Sequence, residues 1–160
     1  PWDLKYLGFG FCKMKKWECI PHKDSKKKFQ RTLKRLTNRS KNMSLDRRIE
    51  QLNWTIRGWV NYFRIGKMKK FLERTDEHLR ARIRAIIWKQ WKTPKTQIKN
   101  LVKCGFSLDS ARGLAYCRRG YTFVAHSQIL QMAISKERLQ KPNNNLKRRG
   151  LVFALDYYLA

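Results

Sequence analysis

The chain has 160 residues and a formal net charge of +27, from 38 Lys or Arg against 11 Asp or Glu. Hydrophobic residues make up 42% and aromatics 12%, which excludes a disordered basic tail and allows one medium domain or two small ones around a real core. No apolar run nears the roughly 20 residues of a membrane span, no signal-peptide pattern is visible, and so large a charge favours a polyanionic partner, nucleic acid ahead of an anionic membrane surface.

Residues 4–20 alternate with a period near two, with Gly8 and Gly10 interrupting the first strand and Lys13 to Lys16 as the turn. This predicts a β-hairpin, marginal alone and so the edge of a larger sheet. Residues 24–38 place Phe29, Leu33 and Leu36 at i, i+4, i+7 among basic and polar positions, a strongly basic amphipathic helix. After a polar break at 38–42, Ser44 is an N-cap for a second helix with the stripe Leu45, Ile49, Leu52, Ile56, Trp59, Val60 and Phe63, ending at Gly66. A third helical stretch runs from about Lys67 to Trp91, with a break expected at Thr75-Asp76. Three amphipathic helices with short links read as a bundle.

Thr93-Pro94 is a second start signal, a hydroxyl cap before proline at the first helical position, and a soft domain boundary falls at 92–94. A short helix ending at Gly105 follows, then one from Ser107 to near Gly120, then two more capped by Ser127 and Ser135. Pro142 and Asn143 to Asn145 form a polar loop before a last apolar segment, Gly150 to Leu159. The expected fold is mainly α: an N-terminal β-hairpin over 1–22, a three-helix bundle over 23–92, and a second small domain of short helices over 93–160. The charge divides as +18 over residues 1–92 and +9 over 93–160, so both parts are fit to touch a polyanion.

The residues that could carry chemistry do not assemble into an active site. Cys19 and His22 form a C-x-x-H with Cys12 seven residues earlier, but a zinc site needs a fourth ligand and His78 and His126 lie far along the chain. Cys12, Cys19, Cys104 and Cys117 therefore read as reduced thiols and His22 as a turn residue. The single adjacent carboxylate pair, Asp76-Glu77, reads as the acidic first turn of a helix rather than part of a metal site. No Gly-rich phosphate loop, nucleophile elbow or H-E-x-x-H is present. No catalytic residue, metal site or cofactor is expected.

Position decides whether the bases bind or merely solubilise. Lys26, Lys27, Lys28, Arg31, Lys34 and Arg35 crowd the first helix, and like charges at i, i+4 cost a few tenths of a kcal/mol per pair unless a polyanion neutralises them. Residues 25–45 contain no Glu to offset them. In the second helix Arg57, Asn61 and Arg64 share one polar stripe, and in the third Arg80 and Arg84 share a face. These positions are the expected phosphate-binding residues. Trp54 and Tyr62 lie outside the apolar stripe, where an aromatic beside arginine either stacks on an unpaired base or packs on a neighbouring element. Membrane attachment is disfavoured, because three long helices with matched apolar stripes are better satisfied by packing on one another.

Ile56-Arg57-Gly58-Trp59-Val60-Asn61-Tyr62-Phe63 resembles the maturase-specific motif of proteins encoded by bacterial group II introns. Tyr6-Leu7-Gly8-Phe9 resembles the primer-gripping strand of their reverse-transcriptase palm, and Ile87-Trp88-Lys89-Gln90-Trp91-Lys92, Gly150-Leu151-Val152 and Asp156-Tyr157-Tyr158 resemble the family's C-terminal half. The resemblance implies that residues 1–22 end the palm, with Leu7, Gly8 and Phe9 in the primer grip. Residues 23–92 would be the thumb (maturase or X domain) and 93–160 a small DNA-binding region. It implies binding of group II intron RNA and help in its splicing. It further implies contact with template–primer duplex and target DNA, and a bacterial cytoplasmic, nucleoid- or ribonucleoprotein-associated location. The family's fingers, the rest of its palm and the Y-A-D-D carboxylates that hold Mg²⁺ have no counterpart in these residues. Together with a start at Pro1, this suggests an excised piece whose parent protein holds the polymerase activity; the alternatives are a thumb and DNA-binding part that works with a separate fingers–palm polypeptide, or a non-specific DNA-binding remnant.

Overall fold

The computed structural model describes residues 4–13, 17–142 and 150–160. Strands β1 (Phe9–Lys13) and β2 (Trp17–Pro21) pair antiparallel, with Phe9 opposite Pro21 and Lys13 opposite Trp17. The first strand begins later than the alternation from Leu4 predicts. Leu7 (φ 48°) and Gly8 (φ 82°) turn the chain, so Tyr6 pairs back on Phe9. Glycine is required at position 8 both by that left-handed backbone and by space, because a Cβ there would lie 3.1 Å from Ser25 Oγ and 3.3 Å from Phe63 Cζ. Residues 14–16 of the expected turn lie outside the described residues.

Among the described residues the hairpin is stabilised by the helices rather than by further strands. Ser25 Oγ donates to Gly8 O at 2.8 Å, Lys67 N donates to Cys19 O at 2.9 Å, and Phe9 packs on Tyr62 and Phe63. His22, expected in a turn, is the N-cap of the first helix, its Nδ1 accepting from Asp24 N at 3.2 Å. Among the described residues no group of three or more His, Cys, Asp or Glu could hold a metal ion.

Helix α1 (Lys23–Leu36) buries Phe29, Leu33 and Leu36, as their spacing predicts. Helix α2 (Leu45–Phe63) starts at Ser44, whose Oγ accepts from Arg47 N, and buries Ile49, Leu52, Ile56, Val60 and Phe63. Between them Arg48, 1% exposed, donates to the carbonyls of Leu36, Asn38 and Lys41, the last two at 3.1 Å. One guanidinium thus satisfies the end of α1 and the connecting loop, which a helix terminus otherwise leaves unpaired.

Helix α3 (Lys69–Gln90) runs unbroken through the expected break at Thr75-Asp76. The Thr75 hydroxyl donates to Phe71 O at 2.8 Å, so this polar side chain is satisfied within the helix rather than breaking it. Asp76 is therefore not in the first turn of a helix. It is 3% exposed in the middle of α3 and faces another element.

After α3 the chain forms α4 (Pro94–Lys103), capped by Thr93, and α5 (Leu108–Ala115), capped by Ser107 and ending at Ala115 rather than near Gly120. Helix α6 (Tyr121–His126) was not expected from the sequence. It is followed by α7 (Gln128–Ala133), α8 (Lys136–Gln140) and α9 (Ala154–Leu159), and the expected caps Ser127 and Ser135 open α7 and α8. Asn143 to Asn145 of the expected polar loop lie outside the described residues. The fold is thus mainly α behind an N-terminal hairpin.

The later helices fold back on the first three. Helix α6 packs on α3, and α9 packs on both α2 and α3, so one apolar cluster runs from Phe29 and Leu33 through Ile56 and Ile83 to Val124 and Phe153. Two buried polar side chains fix that return. Asn53 in α2 donates to Gly150 O at 2.9 Å and accepts from Val152 N at 2.8 Å, pairing with the incoming backbone as a neighbouring strand would. Asp76 in α3 accepts from Ala154 N and Leu155 N, at 2.9 and 2.8 Å.

Candidate nucleic-acid interface

The exposed side of α1 is a row of cations. Lys27, Lys28, Arg31, Lys34 and Arg35 are all exposed because Phe29, Leu33 and Leu36 take the opposite face. Lys26 differs: it is half-buried, with Nζ 5.6 Å from the centre of the Phe71 ring, and burial pulls its pKa down. Lys34 and Arg35 sit in the last turn of α1, where the helix dipole offsets some of their mutual repulsion.

The row turns over the seam with α2 into a shallow groove. Arg35 of α1, Lys41 of the loop and Arg47 of α2 line it together with Trp54. Glu50 is the one carboxylate in that lining. Trp54 is 73% exposed and stands seven residues after Arg47, on the same side of α2. A second groove, lined by Lys28, Thr32, Trp59 and Tyr62, continues the seam, and Thr55 belongs to both.

Beyond Trp54, Arg57, Asn61 and Arg64 are all exposed along the far edge of α2, as their spacing predicts. The Arg57 guanidinium lies 5.9 Å from the Tyr157 ring of α9, so this edge is where α2 meets the C-terminal helix. Gly58 lies between these residues, and a Cβ added there would meet nothing within 4 Å. No internal packing requires glycine at that position, although glycine in a helix interior costs about 0.5–1 kcal/mol relative to alanine. Its effect is to leave the α2 backbone bare between a tryptophan and two arginines.

Other expected site residues are placed differently. Arg84 is 7% exposed, with Nε donating to Ile134 O at 3.1 Å, which removes it from the surface. Burial, then the charge of Arg80 one turn away, pulls its pKa down. Arg80 is half-buried, 5.8 Å from the Phe153 ring. The two do share a face of α3, but Ile134 and Phe153 cover it. Leu7 is exposed with its carbonyl accepting the Tyr62 hydroxyl at 2.9 Å, Gly8 makes the turn, and Phe9 stacks on Tyr62 at 5.8 Å. Tyr62 thus packs on the hairpin, whereas Trp54 has no ring partner among the described residues.

The sequence reading did not single out Lys41 or Arg47. The signal for Arg47 was its i, i+7 relation to Trp54; Lys41 had none, since it reaches the groove through the loop that Arg48 folds.

These positively charged helices carry a family signature. The family model for the group II intron, maturase-specific domain matches residues 26–105, half of the chain. The chain belongs to that family. The matched residues take in the cationic row of α1, the Trp54 groove and the Arg57–Arg64 edge, together with α3 and α4. No curated protein matches the chain. Among the described residues no helix of this maturase-specific chain is long and apolar enough to cross a membrane.

Proposed function

We propose that the chain is a non-catalytic RNA-binding module that holds group II intron RNA across the α1–α2 seam and assists its splicing. The observation that carries this reading is the continuity of the cationic row on α1 with Arg35, Lys41 and Arg47 around the exposed Trp54. Lysine and arginine there neutralise phosphates and release counterions, which lets crowded RNA strands approach one another. Trp54 offers an apolar face to an unpaired base, the usual way proteins engage single-stranded RNA loops. The bundle fixes the spacing of these groups, and no proton or metal need pass through the chain. The site of action would be wherever the intron ribonucleoprotein assembles.

The test is splicing of a group II precursor RNA at limiting Mg²⁺, with and without the protein. The chain should accelerate splicing, and Arg31→Glu with Arg35→Glu should remove the effect. Equal rates with and without the wild-type protein would overturn the reading.

A second reading is that the chain serves as the thumb of an RNA-directed DNA polymerase whose fingers and palm lie on another polypeptide. It is favoured by the hairpin, which is docked on α2 through Tyr62 and presents Leu7 at 66% exposure. Binding of a template–primer duplex, weakened by Leu7→Ala, would support it. Unchanged duplex binding by that variant would count against it.

A further inference from the structure

A cleft separate from the α1–α2 seam opens between the end of α1, the middle of α3 and α6. Thr37, Arg39, His78, Arg82, Thr122 and His126 line it, and among the described residues its lining holds no carboxylate. Its volume is about 210 Å³, ample for a tetrahedral anion where a single water needs only about 15 Å³.

Arg82 is held in place before any ligand arrives. Arg82 donates through Nε to Thr37 Oγ1 at 2.5 Å, and through Nη2 to Lys34 O and Thr37 O at 3.1 and 3.2 Å. Its Nη1 makes none of these bonds. Arg39 lies over the Tyr121 ring, its Cζ 4.7 Å from the centroid, and Lys89 Nζ donates to Arg39 O at 3.2 Å. Two guanidinium groups therefore line the cleft beside two imidazoles. Burial, and then the charge of Arg39, pull the pKa of Arg82 down, as expected of like charges with no carboxylate between them.

We propose that this cleft is a phosphate pocket, in which Arg39 and Arg82 together hold one phosphodiester of a bound nucleic acid and His78 and His126 donate from its rim. The proposal rests on the RNA-binding reading for the identity of the ligand, but the chemistry of the pocket does not. An oxyanion supplies the negative charge that the lining lacks, and a guanidinium already fixed by the fold loses less freedom on binding it. The pocket would also give α6 a contact with the same RNA that α1 holds, because Arg39 and Arg82 join the end of α1 to α3.

The test has two arms on the full chain. The first follows the imidazole resonances of His22, His78 and His126 by NMR during titration with inorganic phosphate at constant ionic strength. His78 and His126 should shift saturably while His22 does not, and Arg39→Ala should weaken the response at least tenfold. Arg39 is exposed, so the unchanged His22 signal reports that the variant is folded. Shifts that do not saturate, or that are the same in Arg39→Ala, overturn the pocket.

The second arm compares the salt dependence of RNA binding by wild type and Arg39→Ala, which should differ by about one neutralised phosphate. RNA binding with an unchanged slope overturns the pocket and leaves the RNA reading standing. Saturable phosphate binding with no binding of intron RNA at all overturns the RNA reading and leaves the pocket standing.

Discussion

Asp76, in the middle of α3, accepts the backbone N–H of Ala154 at 2.9 Å and so caps a helix that begins 78 residues later in the chain. The same carboxylate accepts from Leu155 N at 2.8 Å. Desolvation pushes its pKa up to about 6, against the opposing pull of the two N–H bonds and of Arg80.

A pH dependence with a definite sign follows. Unfolded, Asp76 titrates near the usual value of about 4. Between about pH 4 and 6 the native state holds a proton that the unfolded chain has released, so this group's contribution to stability falls as pH rises through that window. The change should be about 3 kcal/mol, at 1.36 kcal/mol per unit. Urea denaturation of wild type and Asp76→Asn from pH 4 to 7 isolates it, because Asn does not titrate. Wild type should lose ground to the variant as pH rises, and the opposite slope would show that the ionised cap is the favoured form.

Trp59 anchors the bundle while one side of it lines the second groove. Its ring stacks on Phe29 at 4.4 Å and lies 4.6 Å from Phe63 and 5.7 Å from Phe71. Trp59→Ala should cost about 3–5 kcal/mol in chemical denaturation, since it leaves a cavity among three aromatic rings. A loss below about 1 kcal/mol would mean that α1 and α3 close over the gap without penalty.

Gly58 separates stability from binding. Gly58→Ala should raise stability by about 0.5–1 kcal/mol, because helix propensity improves and the new methyl meets nothing. If RNA approaches the bare backbone there, the same substitution should weaken RNA affinity. A variant that is both more stable and an equally tight binder would place the RNA elsewhere.

The far edge of α2 should contribute charge without contributing packing. Arg57→Ala with Arg64→Ala should leave the thermal midpoint within a few degrees, since both side chains are exposed. RNA affinity should fall, and the salt slope should shrink by about two phosphates. Normal RNA binding by the double variant would show that this edge lies off the interface.

What the sequence revealed was local. Ser44, Thr93, Ser107, Ser127 and Ser135 each cap the helix their position announced, and the apolar stripes of α1 and α2 are buried as spaced, Leu45 and Trp59 only partly. Asn53, Asp76 and Arg84 could not be read in the same way, because their partners are Gly150, Ala154 and Ile134. A polar residue on a helix looks solvent-facing until a distant segment packs over it, and no periodicity encodes that event. Arg84 shows the consequence. Its i, i+4 relation to Arg80 was read correctly as a shared face, but that face is interior. The Trp54 groove was half legible, since the exposed aromatic stood out while the loop that brings Lys41 to it depends on buried Arg48.

The central claim is that this arrangement of cations recognises the shape of intron RNA rather than phosphate alone. It is tested most directly by the affinity for a structured group II intron RNA and for an unrelated RNA of equal length, across a salt series. Both should weaken as salt rises, with a log–log slope of roughly −0.7 to −0.9 per neutralised phosphate. The account predicts a gap in favour of the intron that persists at high salt. Coincident curves at every salt concentration would contradict it.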